Sequence, residues 1–182
     1  MIDIEDADLE LTNAELHLYS RQILLAGWDI EAQEKLKLSN VLIVGCGGIG
    51  CTTAELLARA GVGQITLIDA DSIEISNLQR QIAYTASDLG FYKAEILAKR
   101  LRQINPHIRV ESYTQQLDIG NAEALISAQD LVLDGCDNFE TRYLVNQTCK
   151  ANNVALISAS AIGFQGQMFM LEGNSACYEC LF

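Results

Sequence analysis

Six residues constrain this chain more than any others. Gly45-Cys46-Gly47-Gly48-Ile49-Gly50 follows the apolar run Val41-Leu42-Ile43-Val44 and leads into a helical pattern over Ile49 to Ala60. A short apolar run ending in glycines reads as a strand buried on both faces of a parallel sheet. Glycines at Gly45, Gly47 and Gly50 permit a tight turn and let backbone N–H groups approach phosphate oxygens, and the helix N-terminus adds partial positive charge. Asp69 lies at the end of the next strand, where its carboxylate accepts hydrogen bonds from ribose hydroxyls. Such a site suits an adenine nucleotide, NAD as well as ATP.

The rest of the chain alternates in the same manner. Helical spacing covers Asn13 to Gln22, with Thr12 as N-cap, and Ile30 to Lys37. Strand Gln64–Ile68, helix Lys93–Ile104 and strand Arg109–Tyr113 follow. Then come helix Asn121–Ser127, strand Leu131–Asp134, helix Phe139–Ala151 and strands Val154–Ser158 and Gln167–Leu171. With no repeat and no linker, residues 13–182 read as one doubly wound, Rossmann-like α/β domain. Its sheet is mostly parallel, with helices on both faces. Residues 1–12 carry Asp3, Glu5, Asp6, Asp8 and Glu10 and read as an acidic, flexible arm.

A second group of residues decides between nucleotides. Asp69-Ala70-Asp71 precedes Ser76-Asn77-Leu78-Gln79-Arg80-Gln81, in which Arg80 brings a planar, permanently charged fork suited to phosphate. Lys93 opens a helix and adds a second cation. Asp137-Asn138 follows strand Leu131–Asp134 to the same sheet edge, where the carboxylate is suited to Mg²⁺ held between phosphates. Hydride transfer needs neither two phosphate cations nor a metal carboxylate, so the group points to a triphosphate.

These blocks resemble the ubiquitin-activating-enzyme-like adenylyltransferases. The resemblance rests on Ser20-Arg21-Gln22-Ile23, Gly45–Gly50, Asp69-x-Asp71, Ser76–Gln81, Lys93, Asp134-x-x-Asp137-Asn138 and Cys177-x-x-Cys180, and runs from about Leu16 to the end. It implies that ATP and a carboxylate, the C-terminal glycine of a small ubiquitin-like sulfur carrier, give an acyl-adenylate and pyrophosphate. It further implies that Gly48 contacts the nucleotide and Asp69 the ribose, that Asn77, Arg80 and Lys93 hold the phosphates, and that Asp137 holds Mg²⁺ with Asn138 beside it. Arg21 would reach the ATP of a partner subunit, which implies a homodimer. Gly27-Trp28-Asp29-Ile30 looks like the molybdopterin branch of the family and Ser158–Phe164 like the thiamine branch; the first is favoured.

Composition narrows the alternatives. A net charge of −12 argues against a nucleic-acid partner, which requires clustered Lys and Arg. The longest apolar runs are far short of the roughly 20 residues that span a bilayer, and the N-terminus lacks a signal-peptide pattern, so a cytoplasmic protein is expected. In that compartment the six cysteines are free thiols or ligands, and Cys177-x-x-Cys180 is half of a structural zinc site. In the resembling family the second cysteine pair comes later, so the chain reads as truncated. An NAD-dependent oxidoreductase and a non-catalytic ATP-binding fragment are the competing classes.

Overall fold

The computed structural model describes residues 10–173 and 175–181; residues 1–9, which carry most of the expected acidic arm, lie outside the described residues. Thr12 caps α1 (Asn13–Leu18), closing a reciprocal pair with Glu15: the Glu15 N–H donates to the Thr12 hydroxyl at 3.3 Å, and the Glu15 carboxylate accepts from the Thr12 N–H at 2.8 Å. The single helix expected over Asn13 to Gln22 is broken at Tyr19, and Ser20–Ile23 forms a separate turn, α2. The break has a tertiary cause. Tyr19 is buried, and its hydroxyl accepts a 2.7 Å hydrogen bond from the Asn105 amide, which also donates to the carbonyl of Ala58 at 2.7 Å. Asp29 caps α3 (Ile30–Leu38) through the N–H of Ala32.

The remaining elements are β1 (Asn40–Val44), α4 (Gly48–Ala60), β2 (Gln64–Ile68), α5 (Lys93–Ile104), β3 (Arg109–Tyr113), α6 (Ala122–Ile126), β4 (Leu131–Asp134), α7 (Phe139–Asn152), β5 (Ala155–Ile162), β6 (Gln165–Leu171) and α8 (Tyr178–Leu181). They form a six-stranded sheet in the order β3-β2-β1-β4-β5-β6, parallel except for β6. Strand β5 runs four residues beyond the expected Ser158, because Ala159 to Ile162 pair with Gln165 to Met168 of β6 across a two-residue turn. That hairpin supplies hydrogen-bond partners that apolarity alone does not announce.

Period-two alternation divides the core into two layers. Val41 and Ile43 of β1, Ile65 and Leu67 of β2 pack with Ala54 and Ala58 of α4 and Ala94, Leu97, Ala98 and Leu101 of α5. Leu42, Val44 and Val132 point the other way, onto Ile126 of α6 and Val145 and Cys149 of α7. Each fully buried Leu or Ile contributes about 1.5–3 kcal/mol, and both faces of the central strands β1 and β2 are covered, as the sequence pattern requires, while β6 stays largely exposed. The register sets Val44 beside Ile68 and Asp134, Ile68 beside Tyr113, and Asp134 beside Ser158. The carboxyl ends of five parallel strands therefore form one row. Between β1 and β4 the winding reverses direction, which opens a crevice there. Among the described residues no helix is long and apolar enough to cross a membrane.

Glu15 gives the fold a measurable pH signature. Its burial opposes ionisation, but the Thr12 N–H and hydroxyl and the Lys37 ammonium, 3.2 Å away, outweigh that and hold its pKa below the ordinary value. A lowered folded-state pKa means that the unfolded chain binds the proton first as pH falls. The stabilisation is thus complete above the ordinary carboxylate range and is lost as pH drops through the lowered value. Urea denaturation of the parent and of Glu15→Gln should show a stability gap at neutral pH that narrows on acidification to about pH 3.

Candidate active site

A cleft of about 760 Å³ lies over the crevice, walled by the β1–α4 turn, the segment after β2, the β4–α7 loop and the start of the β5–β6 hairpin. The β1–α4 turn is shaped by two glycines. Gly45 has φ +88°, a left-handed conformation, and donates its N–H to the carbonyl of Ile68 at 2.9 Å. At Gly50 a Cβ would lie 1.8 Å from the Gly45 carbonyl oxygen. Helix α4 thus starts against the turn itself. Its N-cap, Gly47, offers no side-chain acceptor, so the first-turn N–H groups of a thirteen-residue helix point into the cleft.

Asp69 braces this loop. One carboxylate oxygen accepts the Cys46 N–H at 2.6 Å and the other the Asp71 N–H at 2.7 Å. Burial raises its pKa despite those two hydrogen bonds. Each oxygen retains a lone pair toward the cleft, which is what a ribose diol needs. Behind the loop the Tyr84 hydroxyl donates to the Cys46 carbonyl at 2.8 Å, and burial pushes its pKa up.

The cations sit on the adjoining wall. The Lys93 side chain is 7% exposed and its ammonium meets the Asp71 carboxylate at 2.7 Å. Asp71, itself largely exposed, is therefore the lysine's counter-ion as well as a cleft residue. Arg80 is exposed, and its guanidinium donates to the Ser76 carbonyl at 3.0 Å. Asn77 is buried; its side-chain oxygen accepts the Glu74 N–H at 3.0 Å and so shapes the 3₁₀ turn Ile75–Asn77 that presents Arg80. Asn138 has a comparable structural duty, capping α7 through the Thr141 N–H at 2.8 Å. Asp137, exposed beside it on the cleft wall, makes no hydrogen bond or ion pair among the described residues. A free carboxylate on the same cleft as a helix N-terminus fits Mg²⁺, which proteins hold through one or two carboxylates together with phosphate oxygens.

Of the residues singled out in the sequence, Gly45, Gly47, Gly48, Asp69, Asp71, Asn77, Arg80, Lys93, Asp137 and Asn138 all line this cleft. Gly50 supports it from behind. Arg21 stands apart, exposed on α2. Cys177 and Cys180 also lie away from the nucleotide wall, with their sulfurs 3.2 Å apart and Cys177 accepting from the Lys150 ammonium at 3.5 Å. Their hydrogen bond lowers the Cys177 pKa to about 7. Two facing thiols suit a tetrahedral metal, which takes further ligands. Among the described residues no group of three or more His, Cys, Asp or Glu is placed to hold a metal ion. The other thiols are buried: Cys46 and Cys51 fully, with Cys136 and Cys149 pushed up to about 12 by burial.

Sequence reasoning missed the residues that hold the β4–α7 loop. Asp134 is buried at the end of β4 and accepts from the Cys136 N–H at 3.0 Å, the Ser158 hydroxyl at 2.6 Å and the Arg142 Nε at 3.2 Å. Arg142 also donates to the Cys136 carbonyl at 2.6 Å. The aspartate stood within a recognised block, but Arg142 looks like any helix-surface arginine. Gln81 was also passed over; it is buried on the cleft wall with its side-chain oxygen unpartnered.

A glycine loop, a bracing aspartate, two cations and a free carboxylate on one cleft define a nucleotide-binding α/β domain, and the chain belongs to the ThiF family, whose profile matches residues 19–182. It is 44% identical over 174 residues to the molybdopterin-synthase adenylyltransferase of Escherichia coli, covering 94% of this chain and 70% of that enzyme. It is 42% identical to the adenylyltransferase and sulfurtransferase MOCS3 of Drosophila sechellia, covering 95% of this chain and 38% of that one. Among solved structures, E. coli MccB with ATP superposes with a TM-score of 0.73 at 34% identity, covering 81% of this chain and 46% of that one. The chain thus spans about half the length of that neighbour.

The turn is testable at its tightest point. Gly50→Ala must displace the Gly45 backbone, and we expect a loss of about 3 kcal/mol or more by denaturant titration, together with loss of ATP binding by calorimetry.

Proposed function

We propose that the chain adenylates the C-terminal glycine carboxylate of a small ubiquitin-like sulfur carrier, the small subunit of molybdopterin synthase, giving an acyl-adenylate and pyrophosphate. The observation that carries this reading is the convergence of the α4 N-terminus, Asp69, Arg80, Lys93 and Asp137 on one cleft. The naming of 44%-identical relatives as adenylyltransferases supports the reaction, and their molybdopterin assignment supports that carrier over the thiamine one. The oxidoreductase reading loses support for the same reasons.

In this assignment the first-turn N–H groups of α4, at Gly48 and beyond, take the nucleotide phosphates, and Asp69 takes the ribose hydroxyls. Arg80, Lys93 and the Asn77 amide neutralise and orient the phosphate chain. Lys93 suits that task because its ammonium is held by Asp71 at 2.7 Å rather than left to search. Asp137, beside Asn138, would hold Mg²⁺, which supplies charge neutralisation for the departing pyrophosphate. The carrier carboxylate is already ionised, so no general base is required. What the chain contributes is alignment for in-line attack on the α-phosphate and fixed positive charge where negative charge develops. Arg21, exposed on α2, reaches the cleft of a second copy in a homodimer, and the thiol pair supplies two of four Zn²⁺ ligands.

Arg80→Ala decides the assignment. Arg80 is exposed and its hydrogen bond is local, so stability should change by less than about 0.5 kcal/mol. ATP–pyrophosphate exchange in the presence of the carrier should fall by about 100-fold or more. Unchanged exchange in a normally folded variant refutes the role.

A further inference from the structure

The segment bearing the thiol pair lies along one face of α7, and through Tyr178 it meets Arg142. The Cys177 sulfur accepts from Lys150, the Tyr178 N–H donates to the Asn146 side-chain oxygen at 2.8 Å, and Glu179 accepts from Gln147 at 2.7 Å. Spacings of three and four residues along α7 place these partners in adjoining rows. The Tyr178 ring packs edge-on to Tyr143 and tilted against Phe169 of β6, both at 5.4 Å between centroids. The Arg142 guanidinium lies over that ring, 5.7 Å from its centroid.

The other side of the same guanidinium grips the loop that carries Asp137. Nε meets the Asp134 carboxylate and Nη2 the Cys136 carbonyl, while the Cys136 N–H is held by Asp134. Gly135 is tied by its N–H to the Val44 carbonyl at 2.9 Å, and Asn138 is fixed as the α7 cap. Asp137 has no partner of its own, so its position depends on the residues that flank it. A lysine at position 142 keeps the charge opposite Asp134 but lacks the planar fork that reaches both acceptors.

We propose that Arg142 is a positioning residue for Asp137, and that Tyr178 makes the placement of this carboxylate depend on the docking of the Cys177–Cys180 segment. The proposal rests on the assignment of Asp137 to Mg²⁺. The thiol segment is thereby coupled to the cleft through two side chains, Tyr178 and Arg142, that themselves stand on its wall. Burial works against the charge on Arg142, but its interactions with Tyr178 and Asp134 outweigh burial and favour the charged form.

Calorimetry of ATP binding with and without MgCl₂ tests this on the full chain, using Tyr178→Leu and Arg142→Lys. Tyr178→Leu should leave affinity for metal-free ATP within about two-fold while weakening the Mg²⁺-dependent gain by about ten-fold, the usual effect of losing a residue that orients a metal ligand. Arg142→Lys should act in the same direction, and half-saturating Mg²⁺ in pyrophosphate exchange should rise with it. If Arg142→Lys does not fold, Tyr178→Leu decides alone. A purely structural role predicts a lower Tm with an unchanged Mg²⁺ gain, and that result in folded Tyr178→Leu overturns the proposal. If the parent itself binds ATP no better with Mg²⁺, the Asp137 assignment fails, and the positioning role fails with it.

Discussion

The approach of α4 to the turn before it sets the rest of the cleft. With no side chain at Gly50, the helix begins in contact with the Gly45 carbonyl, and the left-handed Gly45 brings its own N–H onto the end of β2. That crossing fixes where helix N–H groups emerge relative to the row of strand ends. Asp69 then closes the geometry by taking the Cys46 N–H. A carboxylate just past the end of β2 thus holds the turn that follows β1. The neighbouring strands β1 and β4 part at this place, so the opening they leave is already lined with donors.

The second support is the buried Asp134. A carboxylate with no exposure is tolerable only with its lone pairs filled and a counter-charge close by. It has an N–H, a hydroxyl and a guanidinium, contributed by the loop after β4, by β5 and by α7. Such a pair adds little net stability over an apolar equivalent. What it does here is define: it fixes the path of the residues from Gly135 to Asn138, which a hydrophobic contact would leave looser.

Much of this was legible from the residues, for identifiable reasons. Strands buried on both faces are continuous apolar runs, and glycines at their ends mark the turns, so β1, β2 and β4 stand where the pattern puts them. Gly45, Gly47, Asp69, Asp71, Asp137 and Asn138 were legible because each lies within a few positions of a strand's carboxyl end, and the parallel register brings those ends together; Asn77, Arg80 and Lys93 stood out by residue type instead. The failures share a cause in long-range contact. Tyr19 breaks the first helix because it bonds Asn105, 86 positions away. Strand β5 runs on to Ile162 because β6 returns to pair with it. Arg142 is invisible in a helical pattern, since only the folded loop shows which face of α7 looks at Asp134.

The distribution of the six cysteines has a chemical corollary. A thiol reacts with electrophiles and oxidants as the thiolate, and only where reagent can reach it. Cys46 stands inside the glycine loop yet is fully buried with its pKa pushed upward, and Cys136, on the cleft wall, is raised to about 12. Cys180 is exposed and faces a sulfur that ionises near neutrality. Cys180 alone among the six is open to reagent, so alkylating or oxidising agents meet it first, on the far side of α7, while the thiols in and beside the glycine loop stay shielded.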